Sequence, residues 1–143
     1  MSLLEHLNES PSPLPASSKF TIMNGIIYMA IGALLLVWPG AVQALTFAPD
    51  FDGHEASLIR VIGMAVVIIG WFYYFGGRSG STQIVAASVL DRLLLVPIVL
   101  IPLAISGVFP VLLGAFAILD PVLGILAWRL LAREDRNRGS NDI

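Results

Sequence analysis

An all-α integral membrane protein, built as a four-helix antiparallel bundle, is the fold class this chain predicts, and three observations predict it. Four apolar stretches recur, Phe20 to Trp38, Leu58 to Phe75, Ile84 to Ser106 and Phe109 to Leu131. At about 1.5 Å of rise per helical residue, each reaches roughly the 30 Å thickness of a bilayer core. Of the 143 residues 57% are hydrophobic and only 13% charged, where water-soluble domains carry about a quarter charged. The joints between the stretches are short, which leaves almost no soluble mass and makes sequence neighbours pack antiparallel.

Residues 1–18 hold Asn8, Ser10, Pro11, Ser12, Pro13, Pro15, Ser17 and Ser18, a composition that cannot bury a core and whose prolines oppose a continuous helix. They read as a mobile or surface-lying tail, with a membrane domain over 19–132 and a polar C-terminal tail over 133–143. A secretory signal is the rival reading of the first stretch, with Val42 and Ala44 as small cleavage-site residues. Glu5 and Glu9 stand against it, because a signal peptide begins positive and Lys19 is the one fixed cation before Phe20. The stretch therefore reads as a retained span that begins near Ser18 and stops at Pro39-Gly40. From Gly40 to Phe47 the chain stays apolar but is too short to cross, which predicts a brief helix at the interface.

The second span opens after Asp52-Gly53-His54-Glu55, where Asp52 and Glu55 have capping-box spacing, and closes at Gly76-Gly77. Ser81 or Thr82 caps the third. Only Ser106 to Pro110 joins the third and fourth spans, which requires a tight antiparallel hairpin. Lys19, Arg78, Arg133, Arg136 and Arg138 fall on one side of the spans, and the joints at 39–57 and 106–109 hold no fixed cation. Positive charge stays cytoplasmic, so both termini are expected inside. The aromatic run Trp71 to Phe75 and Trp128 then lie near the inner interface and Trp38 near the outer one.

A formal charge of -2 and a pI near 5.5 leave no basic field for nucleic acid. Cysteine is absent, which excludes disulfides, thiolate metal sites and thiol nucleophiles on this chain. The cluster Asp50, Asp52, His54 and Glu55 offers oxygen and imidazole groups, but capping accounts for two of them and no metal is assigned. His6 and His54 have no serine partner at a recognisable interval, so a hydrolytic triad has no support. Gly76-Gly77-Arg78-Ser79-Gly80 lacks the following lysine and preceding strand of a phosphate loop.

The informative residues are charges placed where lipid forbids them: Arg60, Asp91, Arg92 and Asp120. Arg92 and Asp120 each lie about fourteen residues from the bend near Ser106, and equal distance along antiparallel helices means equal depth. Paired, they lock the hairpin. Asp91 and Arg92 point about 100° apart on a helix and so are not expected to serve the same neighbour. The sharper reading is that Asp91 or Asp120 exchanges a proton with a substrate or ion pathway. Arg60 is shallow enough to snorkel to the outer headgroups, yet its stripe Gly63, Val67, Gly70 and Tyr74 lets another helix approach and offers it an inward path. Gly25 and Gly32 repeat that seven-residue interval with Tyr28 between them. Asn24 is expected to hydrogen-bond a neighbour, and Pro97, Pro102 and Pro121 each delete a helix donor. Arg129, Arg133 and Arg136 share one face beyond the fourth span, an anchor for anionic lipid diluted by Glu134 and Asp135.

The glycine-rich first span ending in Pro39-Gly40, the arginine opening the second span in Arg60-Val61-Ile62-Gly63, and the later Gly70 together resemble the DoxX-like group of small bacterial four-span membrane proteins. The likeness covers most of residues 20–131 and implies an accessory or subunit-type role in a membrane redox system, with no catalytic position to carry over. The expected function is an accessory or structural subunit of the bacterial inner membrane, meeting lipid and either a membrane protein partner or further copies of itself. Tyr28 and Arg60 are expected to line a small polar pocket for a lipid-like or quinone-like molecule, beside the polar network of Asp91, Arg92 and Asp120; no cofactor is assigned. A small transporter or channel with a titrating Asp91 or Asp120 is the alternative, and a membrane-embedded enzyme the third.

Overall fold

The computed structural model describes residue 7 and residues 9–141. Among these residues the regular structure is entirely helical: α1 (Ala16–Val37), α2 (Ala41–Thr46), α3 (Glu55–Arg78), α4 (Thr82–Ile105) and α5 (Pro110–Asn141). All but α2 are long and apolar enough to cross a membrane. Residues 1–6 and 8 of the expected N-terminal tail lie outside the described residues, and its last three residues belong to α1.

The principal packing is α1 on α3, and glycine makes it possible. A Cβ on Gly25 would sit 2.5 Å from the Tyr74 nitrogen and 2.7 Å from the Gly70 oxygen, one on Gly32 would sit 2.6 Å from the Gly63 oxygen, and one on Gly77 would sit 2.8 Å from the Ser18 oxygen. The contacts step seven residues in opposite directions along the two helices, so the backbones run antiparallel in direct contact, as small-residue seams allow. This corrects one boundary. Gly76-Gly77 does not end the second span, because both glycines are packing positions inside α3, Gly76 under Ile84 and Gly77 against α1.

One other end also differs from the sequence reading. α3 is preceded by His54 with no side-chain cap, so the Asp52 to Glu55 capping box does not form, and Glu55 Oε2 is buried without a hydrogen-bond partner. α5 runs on past the fourth apolar stretch and through the polar C-terminal tail to Asn141, carrying the face of Arg129, Arg133 and Arg136. Its extension has work to do at the N-terminus of α1, where the Ser17 backbone N–H and hydroxyl donate to the two Glu134 oxygens at 2.7 and 2.6 Å. A carboxylate there satisfies a free helix N–H and opposes the positive end of the helix dipole. Ser81 caps α4 as expected, accepting from the Ile84 N–H.

α4 and α5 form the expected hairpin through residues 106–109, where Gly107 (φ 89°) and Phe109 (φ 39°) take the left-handed conformations of a tight reversal. Midway along α4 the helix widens into one π turn, Asp91–Leu95, whose Val96 N–H reaches back to the Asp91 carbonyl. Pro97 follows directly. It has no N–H to give and its ring crowds the carbonyl four residues back, and the wider turn in front of it relieves that crowding. At the loop end an apolar plug of Leu35, Val42 and Ile59 gathers Ile31, Phe51, Ile62, Phe109 and Leu112 around it.

Polarity is distributed inside out. Phe72, Ile98 and Ile118 are each about two-thirds exposed, while Ser17, Ser18, Thr21, Asn24, Ser88, Arg92 and Asp120 are buried. By volume the largest fully buried side chain is an arginine, Arg92.

Candidate functional site

Arg92 is 1% exposed and stands at the start of the π turn of α4, packed on Gly124 of α5, where an added Cβ would come 3.2 Å from the Arg92 Cβ. Its guanidinium lies over two tyrosine rings, 5.2 Å from the centroid of Tyr28 on α1 and 4.5 Å from that of Tyr73 on α3. The rings meet edge to face at 5.7 Å, and Phe116 of α5 adds a second such contact to Tyr28 at 6.4 Å. One cation thus draws α1, α3, α4 and α5 to a common point. Each desolvated cation–π contact contributes up to about 2 kcal/mol.

Asp120 occupies α5 one helical turn before Gly124 and is also buried. Among the described residues no hydrogen bond or ion pair joins it to Arg92: Asp120 Oδ1 and the Arg92 Nε and Nη2 are buried without hydrogen-bond partners. The expected lock between the two is therefore replaced. Equal depth does bring both groups to the same interhelical contact, but the tyrosine faces take the guanidinium. Asp91 accepts from the Tyr73 hydroxyl at 3.0 Å, so Asp91 and Arg92 do serve one neighbour after all. Tyrosine offers a ring face to one and a hydroxyl to the other, and the widened turn starts between the two side chains.

A cavity of about 320 Å³ adjoins this cluster. Its walls are Ile62, Val66 and Ile69 of α3, Leu95, Val96, Val99 and Leu100 of α4 and Leu112, Leu113 and Phe116 of α5, and its polar groups are Tyr28 and Asp120. α3 hardly touches the half of α4 after its π turn, residues 96–105, and that gap is the cavity. Its rim residues Ile69, Leu95 and Val99 are 40%, 62% and 53% exposed, so it opens sideways between two helices, while the plug around Ile59, which shares Ile62 and Leu112, closes its loop end.

Of the residues singled out in sequence, Tyr28, Asp91, Arg92 and Asp120 come together. Arg60 does not. It is exposed on the second turn of α3 and outside the cavity lining, because it sits near the helix start, where its long stem reaches past the apolar surface. Asn24, one turn before Tyr28, is buried, but neither amide atom has the partner expected for it. Sequence reading missed Tyr73, absorbed in the aromatic run Trp71 to Phe75; its position three residues after Gly70, on the flank of the α1-facing seam, was the available signal. In the loop between α2 and α3, Asp50 accepts from the Gln43 amide at 3.4 Å, and among the described residues no three His, Asp or Glu side chains gather as metal ligands.

No family model, no curated protein and no solved structure matches this chain.

Proposed function

We propose that the protein is a multi-pass membrane protein whose four apolar helices cross the bilayer as an antiparallel bundle and hold a lipid-like or quinone-like molecule in the lateral cavity. It serves as an accessory or structural subunit, and the even number of spans puts both termini on one side. The asymmetry of Lys19, Arg78, Arg133, Arg136 and Arg138 makes that side cytoplasmic, in a membrane of bacterial inner-membrane type. The glycine pattern that resembles the DoxX-like group supports the subunit role.

The observation that carries this reading is a hydrocarbon-lined cavity, open between two helices at rim residues Leu95 and Val99, that ends on Tyr28 and Asp120. In water such a rim would be an exposed apolar patch; facing acyl chains it is an entrance. Extraction in mild detergent followed by native mass spectrometry tests the proposal. A retained apolar adduct that Val66→Trp displaces, together with a co-purifying membrane protein or a defined oligomer, is expected. A consistently solitary, ligand-free chain would overturn it.

The buried, unpartnered oxygen of Asp120 favours a second reading, a transporter in which this acid titrates. That reading requires pH-dependent flux in liposomes that Asp120→Asn abolishes without unfolding the protein. The apolar plug across the loop end argues against a continuous water path.

A further inference from the structure

We propose that the cavity selects a neutral lipid alcohol: a hydrocarbon body with a hydroxyl head that donates to Asp120 and accepts from Tyr28. This rests on the reading of the cavity as a lipid site and adds the chemistry of the head. The walls admit only hydrocarbon, since the lining other than Tyr28 and Asp120 is apolar. Both polar residues are 4% exposed, and the Tyr28 hydroxyl and Asp120 Oδ1 each lack a protein hydrogen-bond partner. Groups buried this deeply normally have partners; both oxygens are covered by neighbouring protein atoms, so a head group meets them as the Tyr28 and Asp120 side chains turn toward the cavity, and it is selected by what it returns.

A hydroxyl both donates and accepts, and one head meets both groups. A ketone or ester accepts only and leaves the carboxylate unmet; an alkane leaves both unmet. Charge narrows the class further. The Arg92 cation is already engaged by the faces of Tyr28 and Tyr73, and Asp91 by the Tyr73 hydroxyl. An ammonium or carboxylate head would bring a further ion among apolar walls. The exposed rim at Leu95 and Val99 lets the rest of the chain trail into the surrounding acyl layer.

Probes that share a chain and differ in head test this on the full-length protein in detergent: 1-dodecanol, dodecane, 2-tetradecanone, dodecanoate and dodecylammonium, read by native mass spectrometry and by the shift in melting midpoint. Dodecanol is expected to bind about tenfold tighter than each of the others. Tyr28→Phe and Asp120→Leu are each expected to erase its advantage over dodecane while dodecane binding persists, and Val66→Trp to remove both. Tyr28→Phe keeps the ring packed on Tyr73 and Phe116, so it decides the matter by itself where Asp120→Leu does not fold. Equal binding of dodecanol and dodecane would overturn the hydroxyl head and leave the lipid cavity standing. Tightest binding of the ketone or of either ion would overturn it in favour of that head. Binding of none of the probes would overturn both.

Discussion

Arg92 is held by aromatic faces, and that makes an arginine there different from any other cation. A lysine keeps the charge but cannot lay a flat, weakly hydrated group across Tyr28 and Tyr73. Arg92→Lys is expected to cost about 1–2 kcal/mol in denaturant unfolding from detergent. Exchanging the charges, Arg92→Asp with Asp120→Arg, is expected to recover nothing, because the rings remain at position 92 and repel a carboxylate; recovery would reveal direct pairing. At the other end of the molecule, Glu134→Ala should cost about 1–2 kcal/mol through the lost cap on α1. Adding Ser17→Ala should then cost little more, a non-additivity that a double-mutant cycle measures. At this scale sequence legibility followed rarity. A charge inside an apolar run is conspicuous, so Arg92, Asp91 and Asp120 stood out. Tyr73 in an aromatic run and Glu134 in a polar tail look ordinary, and Glu134 finds its partner 117 residues away.

Helix ends were harder to read than helix faces. The interval of Gly25 and Gly32 against Gly63 and Gly70 correctly marked the close-packed seam, because seven residues is two helical turns and returns to nearly the same face. The same interval extends to Gly77, but Gly76-Gly77 also has the composition of a terminator, and local composition does not say whether a glycine is there for a turn or for a neighbour. Space decides it. Gly70→Ala is expected to cost about 1–3 kcal/mol, since its Cβ would stand 2.6 Å from the Met29 nitrogen and 2.7 Å from the Gly25 oxygen. Gly114→Ala, with nothing within 4 Å of the added atom, is the control and should leave thermal unfolding unchanged. The π turn was not legible. Pro97 announces a lost donor, but whether the helix bends or widens depends on what Arg92 and Asp91 gain from their tyrosine partner.

Over the whole molecule, the inside-out distribution of polarity is what hydropathy could predict, and the four apolar helices follow from it. The lateral cavity could not be predicted, because it arises from α3 and the half of α4 after the π turn failing to meet, a property of four helices together and of no one sequence segment. The absence of cysteine from the chain makes single-cysteine labelling direct. Cysteines at Gly107 and at Arg138 should react with an impermeant maleimide from opposite sides of a sealed proteoliposome; reaction from the same side would break the four-span topology.

The same background allows a spin label at Val99, on the cavity rim, and at Val66, on its wall, in lipid bilayers. Collision with oxygen, which concentrates in acyl chains, and with a water-soluble nickel chelate, which does not, separates a lipid-facing cavity from an aqueous one. High oxygen and low nickel accessibility at both positions is the expected result. High nickel accessibility at Val66 would mean that water fills the space beside Asp120, contradicting a lipid site.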